Sequence, residues 1–289
     1  MSERHAILLL ITGCVLFGLG SLIVAFVDVG AYAIAFWRLA IAAGVFGIIA
    51  VQQRAAMPTS RIAMLFAALS GIFLALDLAL WHESIHAIGP GISTLLNSLQ
   101  IFFLAGIGIV FFAERLTLIQ LCSLLLAITG VAMIGSPEFR HNDNAAWGFT
   151  SGIISGLMFA AAMASIRKTH DIEITNLIAL MLISSAAGAL AILPLGLIID
   201  HGHFVPIGWQ DIALVIVYGT VMQCVAWGLV AFSIPKLSLA LTGLIMLSEP
   251  VAALVIDYLL LDKPINALQW FGAFVTLTAI YIGSIVRRP

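Results

Sequence analysis

Apolar runs of about 20 residues follow one another almost without pause, and they restrict the fold before any motif is considered. An α-helix rises about 1.5 Å per residue and the hydrocarbon core of a bilayer is ~30 Å thick, so each run is one crossing long. Ten runs can be read, at about 6–27, 31–52, 62–86, 89–112, 117–135, 146–166, 174–199, 209–232, 238–260 and 266–286. Polar punctuation separates them at Asp28-Val29-Gly30, Gln52 to Arg61, Gly89-Pro90, Glu114-Arg115, Ser136 to Asn144, Arg167 to Glu173, Asp200 to Pro206, Pro235-Lys236 and Asp262-Lys263-Pro264. Hydrophobic residues make up 62% of the chain and charged residues 9%, against roughly 45–50% and 25% in soluble domains. Backbone polar groups in lipid must be satisfied within the segment, which favours helices. The expectation is an all-α, polytopic membrane protein with ten transmembrane helices.

Basic residues orient the ten spans. With the N-terminus inside, Arg4, Arg54, Arg61, Arg115, Arg167, Lys168, Lys236, Arg287 and Arg288 fall at cytoplasmic ends and loops, and only Arg140 and Lys263 fall opposite. Nine against two is the bias of the positive-inside rule. It places both termini in the cytoplasm. The first apolar run is longer than the 7–15 residues of a signal core, roughly, and is read as helix 1. Ile11-Thr12-Gly13-Cys14 has the look of a lipoprotein cleavage box, but the run continues well past the cysteine. Cys14, Cys122 and Cys224 lie inside apolar runs without paired spacing and read as packing residues. A net charge of −2, dispersed along the chain, argues against nucleic acid as a partner. Membrane lipid and a small solute remain.

The chain divides near its middle. Residues 1–135 hold five runs, 136–145 form a polar linker, and 146–289 hold five more. "ISTLLNSLQIFFLAGIGIVFFAERLTLIQ" in the first part has a counterpart in "LALTGLIMLSEPVAALVIDYLLLDKPINALQ" in the second, with Gln120 and Gln269 after the two charged turns. Two five-span halves must sit in opposite orientations. Such inverted repeats mark secondary transporters, with the site at the midplane between them.

Ionisable groups inside the bilayer cost about 2.5–3.5 kcal/mol each on insertion scales, so each needs a reason. Arg38, Asp77 and Glu249 are the deepest. Arg38 and Asp77 lie at similar depths on spans 2 and 3, either as a structural ion pair or as substrate ligands. Glu83 is within a turn of the outer end and can reach the headgroups. Glu249 precedes Pro250, which removes a backbone hydrogen bond near the middle of span 9. Ser93, Asn97 and Gln100 recur at i, i+4 and i+7 on span 4, Asp77, Trp81 and Ser84 likewise on span 3, and Gln223 and Trp227 at i, i+4 on span 8. These stripes line a polar cavity for a small polar or zwitterionic solute, or else bond neighbouring helices together. Gly152 and Gly156 read as a helix-packing surface.

His82-Glu83-Ser84-Ile85-His86 fits HExxH, the zinc site of metalloproteases. An intramembrane zinc metalloprotease is therefore the rival reading. It needs a third protein ligand; the chain has no Asp-Gly pair to supply it, and Glu249 could be drafted as a substitute. No GxxxxGK[ST] loop is present, so ATP hydrolysis and a bound cofactor are not expected.

"FWRLAIAA", "DLALWHESI", "FFAERLT" and "LSEPVAAL", in this order and spacing, resemble the EamA family of the drug/metabolite transporter superfamily. The resemblance covers essentially the whole chain. It implies a ten-helix carrier without enzymatic activity, and an exporter of amino acids or related metabolites. Ile101 stands where the family has a proline, and the second charged turn is Asp-Lys-Pro rather than Glu-Arg. Arg38, Asp77, Trp81, Ser93, Asn97, Gln100, Gln223, Trp227 and Glu249 are the expected substrate-binding residues. Asp77, His82, Glu83 and Glu249 are candidates to carry a coupled proton.

Overall fold

A computed structural model describes residues 3–88, 90–135, 145–260 and 265–285. The polar linker, the Asp262-Lys263-Pro264 turn, Gly89 and the terminal arginines lie outside the described residues. Every described element is helical: α1 (Glu3–Phe17), α2 (Gly20–Phe26), α3 (Ala31–Gln53), α4 (Arg61–Ile88), α5 (Pro90–Asn97), α6 (Gln100–Phe112), α7 (Leu118–Gly135), α8 (Ala145–Ile172) and α9 (Leu177–Ile199) in the first part of the order. Then come α10 (Trp209–Val217), a π-helix (Tyr218–Ala226), α11 (Trp227–Ser233), a short 3₁₀ turn (Ile234–Lys236), α12 (Leu239–Met246), α13 (Ser248–Leu260) and α14 (Ala267–Ile285).

Seven helical segments among the described residues are long and apolar enough to cross a membrane. The remaining apolar runs form α7 and α14, which are shorter, and α1 with α2, which are interrupted. Four of the runs are not uninterrupted α-helices. The first breaks at Gly18-Leu19, the fourth at Ser98-Leu99 and the ninth at Leu247, while the eighth winds as a π-helix at its centre. At the fourth, Leu99 N bonds Leu96 O, Ile101 N bonds Ser98 O and Phe102 N bonds Leu99 O, so a tight turn replaces α-helical bonding. The irregularity expected from Pro250 is present as the break at Leu247, three residues before it. Pro250 itself lies in the first turn of α13, where its missing N–H has no partner to lose.

The halves are interleaved. α8 packs along α4 and α5, and α1 packs along α11 and α13, so exchanging the halves exchanges these contacts. α3 with α9, α6 with α12 and α7 with α14 are pairings of one half's helix with its counterpart. α4 and α9 approach closely, and a Cβ added to Gly71 would stand 1.7 Å from the Ser184 carbonyl oxygen. Ser70 Oγ donates to Ser184 Oγ at 3.0 Å at the same crossing. Gly152 and Gly156 press α8 against Ser84, Leu96 and the Asn97 carbonyl.

Carboxylates from one half cap helices of the other. At the end of the bundle bearing the turn at 113–117, Ala113 adopts φ 51° and ends α6. Glu114 then turns back to accept from Leu239 N (3.0 Å) and Ala240 N (3.5 Å) at the start of α12. Glu173 accepts from Thr59 N (2.9 Å) and Ser60 N (2.8 Å) just ahead of α4. At the opposite end Asp200 accepts from Ala33 N (2.7 Å) in the first turn of α3. Each occupies the positive end of a helix, where N–H groups lack intrahelical partners.

The donors from Thr59 and then Ser60 hold the Glu173 carboxyl below the usual carboxylate range. A depressed folded-state pKa contributes stability above the unfolded value, about 4.3, and this contribution is lost as pH falls through the folded value. Glu173→Gln should therefore melt below the wild type at pH 7, and the gap between the two melting temperatures should close as pH is lowered toward 3.

Candidate functional site

The interleaved helices leave a narrow cavity lined by residues of both halves. α4 contributes Leu74, Asp77, Leu78 and Trp81, spaced i, i+3, i+4 and i+7 so that all four share a face. Phe17, Gly20, Arg38 and Asn97 come from the rest of the first half, and Phe159, Tyr218 and Glu249 from the second. The space measures about 30 Å³, room for roughly two waters. Ligand pockets run to roughly 300–1,000 Å³, so the space is too narrow to hold a metabolite.

Arg38 is 2% exposed. Its Nε donates to Gln223 Oε1 at 2.8 Å, and its guanidinium lies 4.6 Å from the Tyr218 ring centroid and 5.2 Å from that of Phe17. Asp77 accepts from Asn97 Nδ2 at 2.8 Å, and the same amide reaches Ser155 Oγ at 3.0 Å on α8. No ion pair joins Arg38 to Asp77. The ion pairs among the described residues are Arg167–Asp171 and His203–Asp28, both away from the cavity. The buried pair allowed by their matching depths is thus replaced by separate neutral partners. One guanidinium and two carboxylates share a small apolar-walled space.

Behind this lining, His82 fixes Tyr218. Its Nδ1 lies 3.0 Å from the Ala31 carbonyl oxygen and its Nε2 lies 3.1 Å from Tyr218 Oη. A carbonyl only accepts, so Nδ1 carries the proton, Nε2 accepts, and the tyrosine hydroxyl donates. Tyr218→Phe keeps the ring face under Arg38 but leaves a buried imidazole nitrogen without its donor, which costs about 1–3 kcal/mol. Thermal unfolding in detergent should register that loss, with the helical content unchanged.

Of the residues expected from sequence, Arg38, Asp77, Trp81, Asn97 and Glu249 line the cavity. Gln223 stands behind Arg38 as its hydrogen-bond partner. Trp227 is fully buried, with its ring 6.3 Å from Phe17 and 5.5 Å from Phe159, and its Nε1 has no partner among the described residues. Ser93 and Gln100 are not in the lining. Ser93 joins Ser84, whose Oγ lies 2.8 Å from both Ser93 Oγ and the Gly148 carbonyl oxygen, tying α4, α5 and α8 together. Gln100 is buried, and the turn at Ser98-Leu99 takes it off the helical register that aligned it with Asn97.

Phe17, Phe159 and Tyr218 are lining residues that polarity and period did not point to. Tyr218 and Gln223 both hold Arg38 although they are five residues apart. That spacing shares a face only where the helix is wound as π, as Tyr218–Ala226 is. The metalloprotease reading gains no support. His82 uses both ring nitrogens, His86 is exposed, and Glu83 accepts from Trp147 Nε1 at 3.1 Å. Among the described residues no three His, Cys, Asp or Glu side chains are grouped to hold a metal.

Fold and site together define a multi-pass, all-helical membrane protein whose halves meet at a charged cavity. The EamA-like transporter family model matches residues 4–136 and 146–285, so the chain belongs to that family, within the drug/metabolite transporter superfamily. No curated protein matches it. Solved structures of 29 chains match, among them a crystal structure with a TM-score of 0.80 and 12% sequence identity over 99% of each chain. At that identity the likeness is one of fold.

Proposed function

We propose that the protein is a secondary transporter of the bacterial inner membrane that exports small metabolites or amino acids by alternating access. Ten spans are arranged as inverted repeats, residues 1–135 and 146–289 joined by the linker 136–145, with both termini in the cytoplasm. The two matched repeats and the helix pairings that exchange with the halves support this arrangement. The observation that carries the reading is the convergence of Arg38, Asp77 and Glu249, drawn from both halves, on one cavity. Charges so deep in the membrane are costly, and Arg38 and Asp77 do not neutralise each other by contact. They are free to meet the opposite charges of a polar or zwitterionic solute, with Trp81 and Asn97 beside them and Gln223 and Trp227 supporting the wall. Ser93 and Gln100 join the path only if the halves separate. Since the space measures only about 30 Å³, a metabolite enters by rocking one repeat against the other.

Cells lacking the protein should accumulate one class of small solute, and cells overproducing it should release the same class into the medium. Comparison of intracellular and extracellular metabolites reads both. A solute that is depleted inside cells lacking the protein would mean import, and no change in any compound would remove the case for export.

A further inference from the structure

A second cavity, of about 780 Å³, lies at the basic end of the bundle, between the C-terminal end of α6, the turn into α7, the last turns of α8 and the turn before α12. Four charged side chains line it, Glu114, Arg115, Arg167 and Asp171. Their formal charges cancel, but their partners differ. Glu114 is taken by the N–H groups of Leu239 and Ala240. Asp171 is taken by Arg167 Nε at 3.3 Å, and Arg167 Nη1 also donates to the Leu237 carbonyl. Arg115 is exposed and has no partner among the described residues. The charged group left free to contact a ligand is therefore the Arg115 guanidinium.

The flank of this cavity is apolar and bare. Val110 and Phe111 are each 73% exposed, and Leu118 beyond the turn is 74% exposed. On a membrane protein such side chains meet acyl chains. A free guanidinium at the polar end of an apolar flank, on the basic face of the bundle, matches an anionic phospholipid in both charge and amphipathic shape. We infer that this groove holds the headgroup of an anionic phospholipid, its phosphate on Arg115 and an acyl chain along Phe111 and Leu118. Arg167, tied to Asp171 and Leu237, supplies a fixed wall for the phosphate to rest against.

Native mass spectrometry of the full chain, titrated with phosphatidylglycerol or phosphatidylcholine, tests this. The wild type should retain phosphatidylglycerol about five-fold or more over phosphatidylcholine, the worth of one basic residue at a membrane surface. Arg115→Gln, at an exposed position, should fold normally and lose that preference, while Arg115→Lys keeps part of it. Equal retention of the two lipids, or an unchanged preference in Arg115→Gln, would overturn the inference. So would inorganic phosphate displacing the bound lipid completely at millimolar concentration, which would mark a site for soluble phosphate instead.

Discussion

Asp77→Asn should lower transport by about 100-fold while leaving the helix bundle intact. The asparagine keeps the volume and an acceptor oxygen for Asn97 Nδ2, which donates to Asp77 Oδ1 at 2.8 Å. What disappears is the charge. Losing one member of a buried charged contact, here the one proposed with the solute, costs about 2–5 kcal/mol, and each 1.4 kcal/mol or so is a factor of ten. Arg38→Lys should do similar harm, because an ammonium retains the charge but not the flat group that lies over Tyr218 and Phe17 while donating through Nε to Gln223. Both variants should match the wild type in melting temperature to within a few degrees, and solute flux in proteoliposomes should separate them. Wild-type flux in Asp77→Asn would mean that the carboxylate serves only to hold Asn97.

The largest effect on stability is expected at Gly71. A Cβ there would stand 1.7 Å from the Ser184 carbonyl oxygen and 2.5 Å from its carbonyl carbon, and backbone cannot swing aside as a side chain does. From the facing helix, a Cβ on Gly188 would meet the Gly71 carbonyl oxygen at 2.5 Å. Gly71→Ala therefore has to push α4 away from α9 and part Ser70 from Ser184. Overpacking costs about 1–3 kcal/mol when side chains can adjust. Here the cost should exceed about 3 kcal/mol, enough to leave little folded protein after purification. Gly44→Ala is the control. Nothing lies within 4 Å of its added Cβ, and replacing a helical glycine there should be neutral or stabilising.

The apolar runs carried most of the architecture, because in a bilayer length and hydropathy decide which segments become helices. The repeat was legible too, through the two long segments around Asn97 and Glu249 that the family model later matched in each half. Breaks within helices were not. Nothing in Ser98-Leu99 resembles a helix stop, as neither is proline or glycine, and that turn depends on how the flanking segments pack; the break at Leu247, just ahead of Pro250, was the exception. The same local windings decided which site residues could be read. Asp77 and Trp81 stood out because α4 is regular through them, and both line the cavity. Gln100 was lost to the turn before it, and Tyr218 was hidden by the π-helix that carries it to Arg38. Phe17 and Phe159 had no signal, since an aromatic residue in an apolar run is ordinary until its neighbours are known. The HExxH letters show the converse: His82 was conspicuous as a metal ligand but is engaged by Ala31 and Tyr218.

The central claim is that a solute crosses the membrane through the cavity where Arg38, Asp77 and Glu249 meet. Proteoliposomes loaded with a cell metabolite extract, with no ATP present, test it most directly when the compounds released by wild type, Asp77→Asn and protein-free vesicles are compared by mass spectrometry. The account predicts a class of small polar solutes released by the wild type alone. Identical release from the wild type and Asp77→Asn, above that of protein-free vesicles, would contradict it.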